Sequence, residues 1–362
     1  MIETRAPGKL FIAGEYAVVE AGQPAVLVAV NRYLTVRLTE SSDAGRVHSE
    51  EYGRAPLVWM RDDSGEGIVI EHQPYDYVFA AISVVERLRS ELGLAPRYFD
   101  LRIGSELDDA SGRKFGLGSS AAVTVAVISA LDEFYGLSLT RTERFKLAML
   151  ATIEVAPKAS GGDLAASTFG GWIRYTSPDR GALHAHLAVH GVAATLTATE
   201  WAGCGVTRLA PPGSLELLVG WTGSPASTER LVERVRGPHL DAHERYEAFV
   251  DDSRALVDRL TASLRDDERS VPDAIRGARA LLQGLGSISG IRIETEKLSA
   301  LCDIAERHGA AGKPSGAGGG DCGIVFAGPD SDPAGLLREW EAHDIRRLSL
   351  SVHPASGGID AF

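Results

Sequence analysis

Lys114-Phe115-Gly116-Leu117-Gly118-Ser119-Ser120-Ala121-Ala122 runs directly into VTVAVISALDEFYG (123–136), an apolar stretch with the character of a helix. Two glycines and two hydroxyls therefore stand where a loop meets a helix start. Glycine lets the backbone approach a ligand closely and take conformations that other residues resist. The helix start adds unpaired N–H groups and the positive end of the helix dipole, which together favour a phosphate. A second segment of this kind, KPSGAGGGDCGIVF (313–326), lies near the other end of the chain. The first is not a Walker A loop, because its lysine precedes the glycines. Nor is it a dinucleotide fingerprint, since GLGSSA lacks the third glycine at the required spacing. Ser119 and Ser120 are placed either to cap the helix or to reach a phosphate oxygen or a hydrated magnesium ion.

Composition narrows the setting. The chain has 362 residues, 44% of them hydrophobic and 24% charged, enough for two domains with ordinary cores. Its 37 basic and 49 acidic residues give a net charge of −12. That balance argues against a nucleic-acid surface but leaves room for a phosphorylated small molecule, held locally by a few cations and amides. Only six basic residues are lysines, and Lys9, Lys114, Lys158 and Lys313 sit in or beside Gly- or Ser-rich segments. Cys204, Cys302 and Cys322 lack metal-ligand spacing, and the ten histidines show none either. The N-terminus does not read as a secretory signal and no apolar run has membrane-spanning length. The expectation is a soluble, cytoplasmic protein without membrane partners.

Along the chain, short β-rich segments (KLFIAGEY, QPAVLVAVN, YLTVRLTE) fill the first forty residues, and strands follow near 56–60, 67–72 and 98–104. Apolar spacing predicts helices over 77–93, 119–135 and 141–155. STFGGWIRYTS (167–177) reads as a strand or hairpin, and 180–213 has no clear strand assignment. LELLVGWTG (215–223) reads as a buried strand. Helical stretches follow, beginning with STERLVERV (227–235), before strands return at CGIVFAG (322–328) and RRLSLSVH (346–353).

PGKLFIAGEYAVV (7–19), GLGSSAA (116–122) and SGAGGGDCG (315–323) resemble, in order and spacing, the three motifs of the GHMP kinases. The resemblance spans nearly the whole chain. It implies an α+β fold, with an N-terminal ribosomal-protein-S5-like α/β domain and a C-terminal ferredoxin-like domain. We place these at residues 1–195 and 196–362, with the active site in the cleft between them. Segments 160–175 and 220–228 place the chain nearest those members whose acceptor is 5-phosphomevalonate. Rival readings are another GHMP kinase acting on an alcohol such as mevalonate, the related diphosphomevalonate decarboxylase (a lyase), and a non-catalytic sensor. The oligomer is left as monomer or homodimer.

The resemblance further implies that ATP phosphates sit on the loop formed by Lys114, Gly116, Leu117, Gly118, Ser119, Ser120 and Ala121. Ser120 matches the family's magnesium-contacting serine. Asp163 matches the aspartate read as a base in kinases of alcohols. A phosphate acceptor has its second pKa near 6, is largely ionised at neutral pH and needs no base. Asp163 is therefore expected to orient the reactants through Mg²⁺, while Lys9 and Lys158 screen two anionic substrates from each other. The acceptor is expected to meet Tyr16, Ser160, Ser224, Ser227, Gly318 and Gly319. Tyr16 is equally readable as a packed aromatic, and Ser224, Ser227 and Thr228 as ordinary caps at a Pro-marked helix entrance. Trp59 fits either a base pocket or the core, and Cys322 reads as packed.

Overall fold

The computed structural model describes residues 1–53, 55–62, 65, 67–70, 76–224, 231, 240–355, 357–360 and 362. Two long antiparallel strands, β1 (Ile2–Ala13) and β2 (Pro24–Ser41), begin it. The sequence suggested two short segments where β2 runs unbroken through Asn31 and Arg32. Its two halves differ in burial rather than in backbone. Residues 24–30 are all buried, whereas 34–38 alternate, as a half-covered strand should.

Strand β2 organises the larger sheet. It pairs with β1, with β7 (Trp172–Thr176) through its first residues, and with β6 (Tyr98–Ser105) through its last. The sheet continues from β6 to β3 (Gly45–His48), β4 (Leu57–Arg61) and β5 (Ile68–Ile70), and from β7 to β8 (Gly205–Leu209). Strand β3 carries no apolar run and went unread in the sequence. Its Gly45 has a packing reason: a Cβ there would lie 1.8 Å from the Trp59 ring. Trp59 is fully buried and packs on Tyr98 and Phe99, so it belongs to the core and lines no pocket described here.

Five helices pack on this sheet and on one another: α1 (Tyr77–Glu91), α2 (Ser119–Tyr135), α3 (Arg141–Val155), α4 (Gly162–Phe169) and α5 (Arg180–Leu196). Local chemistry sets their ends. The Asp76 carboxylate caps α1, and Thr140 with Glu143 forms a capping box on α3. Helix α2 is apolar nearly all round because the sheet, α1 and α3 all pack on it. Residues 167–169, expected as strand, finish α4 instead, and the Gly170–Gly171 turn separates them from β7.

The second sheet has the order β10-β11-β9-β12, from Ala311–Pro314, Cys322–Ala327, Glu216–Trp221 and Arg346–Arg347. All its pairs are antiparallel. Helices Leu240–Asp266, Val271–Ser289 and Glu296–Arg307 follow β9, and Pro333–Ala342 precedes β12. This is the βαββαβ order of a ferredoxin-like domain, as expected. The helix expected at 227–235 falls almost wholly outside the described residues. The division expected at 195/196 lies inside the first sheet's territory, because β8 completes that sheet; by sheet membership the change falls between Leu209 and Glu216.

Of RRLSLSVH, only Arg346–Arg347 forms a strand. The residues beyond return to the first domain as a strap. Ser351 exchanges hydrogen bonds with Asn31 (2.7 and 2.9 Å), and His353 bridges Ala29 and Gly171 (2.9 and 2.8 Å). The Phe362 ring then packs 5.6 Å from Phe145.

Removing the indole of Trp59 should leave a cavity that this tight strand pairing cannot close. Trp59→Ala is expected to cost about 3–5 kcal/mol in urea unfolding, against under 0.5 kcal/mol for a change at exposed Val189.

Candidate active site

The glycine-rich turn before α2 has the geometry its residues suggest. Gly116 and Gly118 have φ of 81° and 83°, and Gly118, not a serine, is the N-cap of α2. No side chain caps this helix start. The first-turn amides of Ser119, Ser120 and Ala121 are thus left to an external acceptor. The Leu117 and Ala121 side chains are buried, so any ligand contact from these two comes from the main chain.

Beneath the turn lies a cation. Lys9, on β1, is buried; its Nζ is 3.3 Å from the Gly116 carbonyl and 3.5 Å from Asp163 Oδ2. The Lys9 amide also donates to the Leu117 carbonyl at 2.9 Å. A Cβ on Gly118 would lie 2.9 Å from Lys9 Cε and 3.3 Å from Asp163 Oδ2, so glycine is what lets the turn settle on this pair. Asp163 enters from the first turn of α4, about one-third exposed, behind the left-handed Gly161. Ser167 Oγ on the same helix donates to the Pro7 carbonyl at 2.7 Å and fixes α4 against β1.

A pocket of about 100 Å³ opens on the other side of the α2 start. Ser119 and Ser120 line it together with apolar Leu34, Val78, Ile103 and Val123. Glu50, Glu51, Asp76 and Asp108 also line it, the Asp76 carboxylate being committed to the α1 cap. Lys114 is half exposed and its ammonium pairs with Glu51 at 2.7 Å.

The third motif closes the cleft from the second domain. A Cβ on Gly116 would lie 2.5 Å from Asp321, and one on Gly320 would lie 2.1 Å from the Ser224 carbonyl. Asp321 thereby holds the end of β9: its carbonyl accepts from the Thr222 amide (2.9 Å) and its amide donates to the Ser224 carbonyl (2.8 Å). Cys322 is buried, its thiol pushed far up by desolvation, and its Sγ donates to the Phe115 carbonyl at 3.0 Å. Packing, as expected, is its role. The Phe115 and Trp221 rings meet edge to face, with Arg113 and Arg346 stacked on them.

Several expected acceptor residues turn out to be committed within the protein. The Tyr16 hydroxyl donates to the Ala317 carbonyl at 2.5 Å, and its ring is packed among Phe249, Leu282 and Ile293. Burial, aided by Glu15, pushes its pKa far up, so it stays a neutral donor. It joins the first motif to the third. The Gly319 amide donates to the Ile293 carbonyl at 2.7 Å, and Gly318 lies close against that same carbonyl. Ser160 Oγ accepts from the Gly162 amide at 3.3 Å within its own turn. Lys158 is exposed on the loop leading into α4, Ser224 is exposed beside Gly320, and Ser227 lies outside the described residues.

Sequence reasoning missed the strongest contact in the cleft. Glu15 and Lys313 are both buried and form an ion pair; the ammonium also donates to the Pro314 carbonyl (2.6 Å), and Glu15 accepts from the Gly316 amide (3.3 Å). Ser315 Oγ, next to Lys313, both accepts from and donates to the Phe11 main chain (3.0 and 2.9 Å). Lys313 is therefore spent on structure and offers no charge to a ligand. A separation of 298 residues leaves no local signal for this pair.

Comparison with known proteins gives a consistent picture. A profile of the GHMP kinases N terminal domain matches residues 76–171, and one of the GHMP kinases C terminal matches 263–345. The chain is 44% identical to a phosphomevalonate kinase of Streptomyces sp. (strain CL190), over 99% of this chain and 98% of that protein. It is 30% identical to a mevalonate kinase of Pyrococcus horikoshii, over 89% and 87%. Its structure matches that of Streptococcus pneumoniae phosphomevalonate kinase in complex with phosphomevalonate and AMPPNP, with a TM-score of 0.84, 28% identity, and 97% and 100% of the chains covered.

Losing either partner of the buried pair leaves an uncompensated charge, whereas losing both does not. Lys313→Met and Glu15→Gln should each cost about 3–5 kcal/mol of unfolding free energy, and the double variant should recover most of it. Denaturant titration of the four proteins checks this, and additive losses would refute it.

Proposed function

The chain belongs to the GHMP kinase family, and within that family we propose that it transfers the γ-phosphoryl group of ATP to 5-phosphomevalonate, giving 5-diphosphomevalonate and ADP. The observation that carries this reading is the position of the α2 start. It stands between the pocket lined by Ser119 and Ser120 on one side and the Lys9–Asp163 pair on the other. A nucleotide with its base in the pocket can run its phosphates over the uncapped amides of α2 toward Lys9. The apolar walls suit a purine, and the surrounding carboxylates suit its amino and ribose hydroxyl donors.

The acceptor approaches from the Asp163 side. One of its phosphate oxygens attacks the γ-phosphorus in line, the bond to the bridging oxygen breaks, and that electron pair leaves with ADP. No proton need be removed, because the acceptor phosphate is mostly ionised above pH 6. The barrier is electrostatic: two unit charges 4 Å apart repel by about 4 kcal/mol at an effective dielectric of 20. Lys9 is buried and held in place, so it neutralises charge without first having to be organised. Lys114 can leave Glu51 for a phosphate, and Lys158 is exposed on the loop leading into α4.

For Mg²⁺, the donors present are one carboxylate (Asp163) and one hydroxyl (Ser120), with no cluster of three or more His, Cys, Asp or Glu side chains suited to a metal among the described residues. That set fits an ion which keeps waters and takes its remaining oxygens from phosphates. Held there by Asp163 and Ser120, it would neutralise phosphate charge. Asp163 orients and does not abstract a proton.

Coupled ADP-release assays should show turnover with 5-phosphomevalonate and far less with mevalonate; the reverse preference would move the chain to the alcohol kinases, and carbon dioxide release to the decarboxylases. Lys9→Met should lower kcat about 10²–10³-fold. Asp163→Asn should slow turnover yet keep the wild-type pH profile, a rise through about pH 6 followed by a plateau. A profile that loses its limb in the variant would restore Asp163 as a base. Ser120→Ala should raise the magnesium concentration needed for half-maximal rate.

A further inference from the structure

The loop that carries Lys158 and Ser160 into α4 is held from behind by Arg180, which no motif contains, and by Tyr175, the last residue of the 160–175 segment. Arg180 Nη1 donates to two successive carbonyls, Lys158 (3.2 Å) and Ala159 (2.9 Å), and Tyr175 Oη donates to the next, Ser160 (2.7 Å). Three consecutive carbonyls are thus fixed by two side chains. The other arm of Arg180 donates to the Val19 carbonyl, at the end of the turn that follows Glu15 and Tyr16. Behind the loop, Gly161 is left-handed, and a Cβ there would lie 1.8 Å from Met149 Cε and 2.8 Å from Tyr175 Oη. The anchors are rigid: Tyr175 is a fully buried residue of β7, and Arg180 opens α5, whose start Asp179 caps.

We propose that Arg180 and Tyr175 are positioning residues of the transfer reaction, clamping the main chain of 158–160 so that Lys158 and Asp163 meet the acceptor in register. This rests on the reading of the site given above. A guanidinium suits the task, since its planar fork reaches three carbonyls from one stem and keeps its charge at any working pH. The Asp163 carboxylate lies three residues past the last clamped carbonyl, so slack in the loop reaches the first turn of α4 directly.

The test compares wild type, Arg180→Met, Arg180→Ala and Tyr175→Phe as full-length proteins, with ATP and 5-phosphomevalonate as substrates. Arg180→Met is expected to raise KM for 5-phosphomevalonate and lower kcat by about tenfold to a hundredfold in kcat/KM, while KM for ATP stays within about twofold. Tyr175→Phe should shift the same parameters by less. Millimolar guanidinium ion should restore part of the lost rate in Arg180→Ala, and sodium chloride at equal ionic strength should not. Equal shifts in both KM values, or an unchanged acceptor KM, would overturn the proposal. Amide hydrogen exchange of residues 158–163 in the unliganded proteins reads the clamp without any substrate. It should speed up in Arg180→Met while α2 stays protected. Unchanged exchange refutes the clamp, whereas faster exchange in a protein whose wild type fails to use 5-phosphomevalonate would refute only the choice of acceptor.

Discussion

A lysine and a glutamate buried against each other fix the geometry of the cleft. Neither charge of the Glu15–Lys313 pair reaches water, so each makes the other's burial tolerable. The pair lies where the first motif meets the third. Ser315 on Phe11 and the Tyr16 hydroxyl on Ala317 tie the same two motifs together within a few residues. The two domains therefore meet through a polar joint whose members have specific partners, and sliding by one residue would strand a charge. Everything ligand-facing is arranged around that joint: the Gly116 turn rests on Asp321, and Lys9 and Asp163 lie beneath Gly118. The frame comes built, and its rigidity is what allows single atoms to be aimed.

The charge distribution follows. A chain of net charge −12 receives polyanions with very few side-chain cations, because backbone amides at an uncapped helix start supply positive potential without adding to the count. The lysines divide the remaining labour by burial. Lys313 is withdrawn into the joint, Lys9 is held within reach of the phosphate turn, and Lys114 and Lys158 stay exposed. One residue type thus serves as strut, fixed charge and exposed charge.

Much of this was legible in the sequence, and the pattern of what was not is physical. Helices α1, α2 and α3 end within a residue or two of where periodicity and glycine placed them, since amphipathic spacing and capping are local. Both glycine-rich segments take the left-handed conformations their composition advertised. Strand β2 was read as two because its halves differ in burial, a tertiary matter. Strand β3 escaped notice because Gly45 serves the Trp59 ring and leaves no apolar signature of its own. At the site, the residues that surround the helix start were nameable from motif position, yet their partners were not. Tyr16, Gly319 and Lys313 looked available because their acceptors, Ala317, Ile293 and Glu15, lie elsewhere in the chain. Arg180 belonged to no motif, and only the fold shows the carbonyls it gathers.

The strap formed by Ser351 and His353 has an effect on the order of assembly. It hydrogen-bonds to β2 and to the turn before β7, and Phe362 fills in beside Phe145. The seam between β2 and the turn before β7 therefore closes only once residues 351–353 have been synthesised, long after both of its sides. Contacts spanning more than three hundred residues carry a high loop-closure cost and form late.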